Sequence, residues 1–140
     1  MVHALHEARR VLKPDGYLID LRPIHVHRRV GITRADHYEQ IGVMREIFDD
    51  DLAADRAVAQ VLREGGFKSE KRLKFNCNRV MDSYEEFEDW LTEFTMLGNL
   101  QSHDWLLAKA KRAMAETKGK QKIVVSGPLK LNLLGKQAAR

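Results

Sequence analysis

Apolar positions near the start of the chain change period within twenty residues. Ala4, Leu5, Ala8, Val11 and Leu12 fall three and four apart, the spacing that lines one face of a helix. Arg9, Arg10 and Lys13 gather at its end, where positive charge complements the unsatisfied carbonyls. Pro14-Asp15-Gly16 then forces a turn. Tyr17, Leu18, Ile19 and Leu21 form an apolar run broken only by Asp20, which predicts a strand covered on both faces. A helix feeding such a strand is an α/β signature.

From Ile24 to Asp51 the alternations are too broken to assign beyond short extended pieces. Asp49, Asp50 and Asp51 offer an N-cap and first-turn negative charge. Ala54, Ala57, Val58, Val61 and Leu62 then repeat with helical spacing as far as Gly65-Gly66, which reads as the helix C-cap. Leu73, Phe75 and Cys77 alternate with Lys74, Asn76 and Asn78, predicting a half-buried strand over about 69–80. Ser83 with Glu86 three residues on forms a capping box, and Phe87, Trp90, Leu91 and Phe94 line the inner face of the helix it opens. Gly98-Asn99 ends that helix. Ser102 or Asp104 opens another, with Leu106, Leu107, Ala110 and Met114 inward, and the pair reads as a lid or cover. Ile123–Val125 and then Leu129, Leu131 and Leu133 read as strand segments bent at Gly127-Pro128. The expectation is three strands and four helices in one domain over 1–136, with a helical insertion over 83–118 and a frayed tail, 137–140.

Composition narrows the classes. With 140 residues and 44% hydrophobic, the chain can bury one modest core. No apolar run approaches the length of a membrane span and no secretory leader is visible, so no membrane partner is expected. The single cysteine, Cys77, reads as a small buried hydrophobe and fits a reducing, cytoplasmic setting. Lys109, Lys111, Arg112, Lys118, Lys120 and Lys122 cluster late in the chain without interleaved aromatics to stack bases. They read as a solvated face, which argues against a nucleic-acid partner.

The segment HEARRVLKPDGYLIDLRP resembles the part of class I S-adenosylmethionine-dependent methyltransferases that crosses from the helix after the fourth strand into the fifth, usually written with RVLKPGG at its centre. Arg10 to Gly16 departs from that pattern only at Asp15. The later helix ending VLREGGF, the strand after it and a last strand ending LKLNLLGK are similar to the family's last helix and its sixth and seventh strands. The resemblance implies the C-terminal part of a Rossmann-like sheet, about three strands with the last pair antiparallel, under covering helices. It also implies that the cofactor-binding strands are missing. S-adenosylmethionine is implied by the family alone, and no cofactor is expected to bind this chain by itself.

Chemical candidates follow the strand. Asp20 and Arg22 share one face, as an ion pair or as groups lining a pocket. His25 and His27 would share a side of an extended chain just past the fifth strand, where the family's substrate pocket often begins. Either is a candidate general base. Asp36 and His37 have no spacing that would join them in a zinc site, so no metal is expected. Gly65-Gly66 follows a helix and precedes a strand, the reverse of the strand-to-helix turn that approaches a nucleotide.

The expected function is the substrate-side portion of a methyltransferase acting on an unidentified small-molecule acceptor, inactive as the isolated chain. The alternative is a non-catalytic self-associating or partner-binding module. In either case the Tyr17–Leu21 edge is expected to recruit a second copy or the missing N-terminal half.

Overall fold

The computed structural model describes residues 1–98, 101–116 and 119–138. Among them are four helices and five strands: α1 (Val2–Val11), β1 (Tyr17–Pro23), β2 (Arg29–Arg34), β3 (His37–Val43), α2 (Asp49–Arg63), β4 (Phe67–Met81), α3 (Tyr84–Met96), α4 (Asp104–Ala115) and β5 (Gln121–Lys136). The class is α/β. The sheet is antiparallel at the β1–β5, β2–β3 and β2–β5 ladders, and β4 also pairs with β5. No helix among the described residues is long and apolar enough to cross a membrane.

The chain divides into two compact units. The first comprises Met1–His25, Phe48–Phe75 and Pro128–Arg140, the second Val26–Ile47 and Asn76–Gly127. In the first unit, α1 and α2 lay Leu5, Ala57, Val58 and Val61 against Phe67 and Leu134. Ala4 and Val11 fall outside this core, so the apolar stripe of α1 is narrower than its spacing predicts. Asp49, Asp50 and Asp51 occupy the first turn of α2, but the cap position belongs to Phe48, which makes no side-chain cap bond. At the other end Gly65 is left-handed at φ 72. The Gly65 and Gly66 amides donate back to the Leu62 and Val61 carbonyls, the paired bonds of a glycine C-cap.

In the second unit, β2 and β3 form a hairpin where only short extended pieces were expected. Its two-residue turn is Ala35-Asp36, with Ala35 left-handed at φ 50. The core joins Val30, Ile32, Ile123 and Val125 of the sheet to Phe87, Leu91, Leu106 and Ala110 of α3 and α4. The two helices are therefore half of a core. Ser83 caps α3, accepting from the Glu86 amide at 3.1 Å, while the Glu86 carboxylate reaches back to the Asp82 amide at 3.0 Å. His103, not Ser102, holds the cap position of α4. Gly98 is left-handed after α3, whereas Asn99 and Lys118 lie outside the described residues.

Four further expectations are corrected. The described residues hold five strands, not three, because the hairpin adds two. β5 is one continuous strand and not two segments bent at Gly127-Pro128. Its pairing with β2 ends at Ser126 and that with β1 begins at Leu129; Pro128 stands between them, and although it has no N–H to donate, its carbonyl accepts from the Ile24 amide. β4 is buried only at its ends, Phe67 and Met81; Leu73, Phe75 and Cys77 are exposed, because the two helix-covered cores reach only those ends. Finally, β1 is covered on one face only. Leu18 and Asp20 face the helices, while Tyr17, Ile19 and Leu21 are 59%, 62% and 53% exposed.

Candidate functional site

The helix-covered face of β1 carries a cluster of polar side chains. Alternation along the strand places Asp20 and Arg22 on that face, and the register with β5 sets Asn132 opposite Asp20 and Lys130 opposite Arg22. Arg22 grips Asp20 with two parallel bonds, Nε to Oδ1 at 2.6 Å and Nη2 to Oδ2 at 2.8 Å, the fork geometry that suits a guanidinium to a carboxylate. Asn132 Nδ2 donates to Asp20 Oδ2 at 2.8 Å.

The second turn of α2 supplies Asp55. Its Oδ1 accepts from Lys130 Nζ and lies 2.8 Å from Arg22 Nη1. The carboxylates and cations thus alternate through one network spanning β1, β5 and α2. Burial by itself would raise the Asp20 pKa, but the hydrogen bonds from Arg22 and Asn132 and the charges of Arg22 and Lys130 outweigh it, holding the carboxyl below its usual range. Asp55 is lowered in the same way: burial opposes, and Lys130 and Arg22 prevail. The hydrogen bond to Asp20 raises the Arg22 pKa further.

His25 lies two residues past β1. Its Nε2 is buried 3.2 Å from Asp55 Oδ2 without the alignment of a hydrogen bond, and its ring stands 6.0 Å from that of Phe48. His25 therefore joins Asp20 and Arg22 at the carboxyl end of β1. His27 does not: it belongs to the second unit, where its Nδ1 accepts from the Glu46 amide at 3.1 Å. A shared side requires an extended chain there, and the chain instead bends at His25 and Val26. Asp36 sits in the hairpin turn and His37 opens β3, and no group of three or more potential metal ligands occurs among the described residues.

Cys77 is exposed, contrary to the buried role expected of it. The late basic residues disperse into local contacts: Lys109 donates to the Ile41 carbonyl, Lys111 lies over the Tyr84 ring and Lys122 pairs with Asp82. A groove of about 510 Å³ opens near the amino end of β1, lined by His6, Arg9, Arg10, Asp15 and Lys136. Arg9 spends its donors there on the carbonyls of Gly66 and Gln137. Gln137 is thereby tied down, while residues 139–140 lie outside the described chain.

Asp55, Lys130 and Asn132 are the members of the cluster that sequence reasoning missed. Lys130 and Asn132 carried a signal, since they alternate with Leu129, Leu131 and Leu133 and so had to face the side opposite those leucines. Asp55 carried none. Chemically the network is balanced, two carboxylates against two cations, and it fixes the strand end to α2. Beside it, His25 Nε2 is buried without a hydrogen-bond partner among the described residues.

Gly65-Gly66 caps a helix, and no strand-to-helix glycine turn is present among the described residues to bring backbone amides to a ligand. Compared with models of known protein families, with curated proteins and with solved structures, the chain matches none.

Proposed function

We propose that this chain is the substrate-side portion of an S-adenosylmethionine-dependent methyltransferase, with the donor held by strands that add to the outer edge of β1. The observation that carries the reading is β1 itself. It follows the RVLKPDG turn, pairs on one side with β5, and among the described residues pairs with nothing on the other. Its Tyr17, Ile19 and Leu21 face is bare of helices. A strand followed by a helix would fill the edge and cover the face at once, as repeated strand-helix units do in a doubly wound sheet.

In this reading the carboxyl end of β1 faces the acceptor, since ligands of open α/β sheets lie outside the carboxyl ends of their strands. His25 then takes the proton from the acceptor heteroatom, with the Asp55 carboxylate beside its imidazole. The Asp20–Arg22–Lys130–Asn132 network is the rigid support. No other step is assigned to this chain. A second reading, a non-catalytic partner-binding module, draws on the same open edge.

The test is the protein in its native source. The transferase reading predicts a species larger than 16.1 kDa, or a complex with a second chain, that binds S-adenosylmethionine and transfers its methyl group. In that species His25→Gln lowers turnover about 100-fold, the low end for loss of a general base, and His27→Gln leaves it unchanged. A native 16.1 kDa species that neither binds the donor nor accompanies a chain that does would overturn this reading in favour of the second.

A further inference from the structure

We propose that two copies of the isolated chain pair antiparallel through β1, with Ile19 on the two-fold axis. The inference rests on the geometry of β1 and not on the methyltransferase reading. The two occupants exclude one another: the pair forms where no cofactor-side strands fill the edge.

The direction of each backbone group along β1 follows from its neighbours. Gly16 accepts from the Lys136 amide and Ile24 donates to the Pro128 carbonyl, so the even-numbered residues turn their backbone groups toward β5. Backbone direction alternates along a strand. Tyr17, Ile19 and Leu21 therefore direct three N–H and three C=O groups outward, and no partner for them occurs among the described residues. Nothing on this edge opposes pairing. Asp20 and Arg22, its two charged residues, point to the helix side and bind each other, the only proline is the last residue, and the β1 ladder has no bulge. Edges left this way recruit another strand.

The outward set is self-complementary. With Ile19 opposite Ile19 of the second copy, Tyr17 stands opposite Leu21 and Leu21 opposite Tyr17. Every outward N–H then meets an outward C=O, and all six groups of each copy are used. The same register aligns the bare face. Ile19 has Leu133 beside it and Leu21 has Leu131, so the pair carries an unbroken row of four apolar side chains, Leu133, Ile19, Ile19 and Leu133, across the junction. It is flanked on both sides by rows of Leu131, Leu21 and Tyr17. Shifting the register by one residue would oppose Tyr17 to the helix side of the partner strand and lose these rows.

The test combines sedimentation with cysteine cross-linking, both on the full chain carrying Cys77→Ser. A hydrogen-bonded antiparallel pair sets its Cα atoms about 5.5 Å apart, within the range a disulfide spans. Under mild oxidation Ile19→Cys is expected to give a covalent dimer. Tyr17→Cys is not, since its symmetry mate lies four residues along the strand, about 13 Å away. In sedimentation at tens of micromolar the chain is expected as a dimer, Ile19→Lys as a folded monomer, and Leu97→Lys, at an exposed apolar residue of the second unit, still as a dimer. A monomer at that concentration would overturn the inference, as would cross-linking of Tyr17→Cys equal to or above that of Ile19→Cys. Both results leave the donor-binding test of the transferase reading untouched.

Discussion

Asp20 is the residue on which the first unit's electrostatics turn, because it is nearly buried and all its partners are cationic or neutral donors. Its folded-state pKa is depressed, so its contribution to stability is present above the ordinary carboxylate value of 3.8 and is lost as pH falls through the lower, folded value. Asp55 acts in the same sense. Replacing Asp20 by Asn is expected to cost about 3 kcal/mol, the low end for removing one partner of a buried pair, since Arg22 keeps Asp55. Urea midpoints measured from neutral pH to below 3.8 check both points. The wild type loses stability more steeply at the acid end than Asp20→Asn does. Half of this site was legible in advance, because the even numbering of Asp20 and Arg22 fixes their shared face whatever the fold. Asp55 and His25 meet through tertiary packing, which no local spacing encodes.

At the scale of elements, the helices were legible from their apolar spacing, and two of their ends from local stop and start residues. Gly65 stops α2, and the Ser83–Glu86 pair starts α3. Ser83→Ala is expected to lower stability by about 1 kcal/mol, the usual loss for an N-cap, with the thermal midpoint as readout and Ser83→Asp restoring it. The β2–β3 hairpin was not legible, and its register explains why. The ladder slips between Val30 and Gly31, which breaks the two-residue alternation, and at Gly31 a Cβ would stand 2.3 Å from the Tyr38 ring. The glycine that permits the hairpin therefore also interrupts the apolar run that would have marked it. β4 misled in the other direction: Leu73 and Phe75 alternate as a half-buried strand should, yet both are exposed, because alternation records which side a residue faces and not whether anything covers that side.

For the molecule as a whole, the outer margin of β1 is left unfilled by the described residues. β1 has the sequence of a strand made for a two-sided cover, and the first unit supplies cover on one side and a paired neighbour on one edge. Whether cofactor-side strands or a second copy completes it, the outward amides of Tyr17, Ile19 and Leu21 are the groups that change state. Residue-resolved amide hydrogen exchange against protein concentration therefore tests the claim most directly. In dilute solution those three amides are expected to exchange fast while Leu18, Asp20 and Arg22, which alternate with them, are protected, and raising the concentration is expected to slow the three alone. Equal protection of all six at the lowest concentration would contradict the account, since it would mean that the edge is already filled from within the chain.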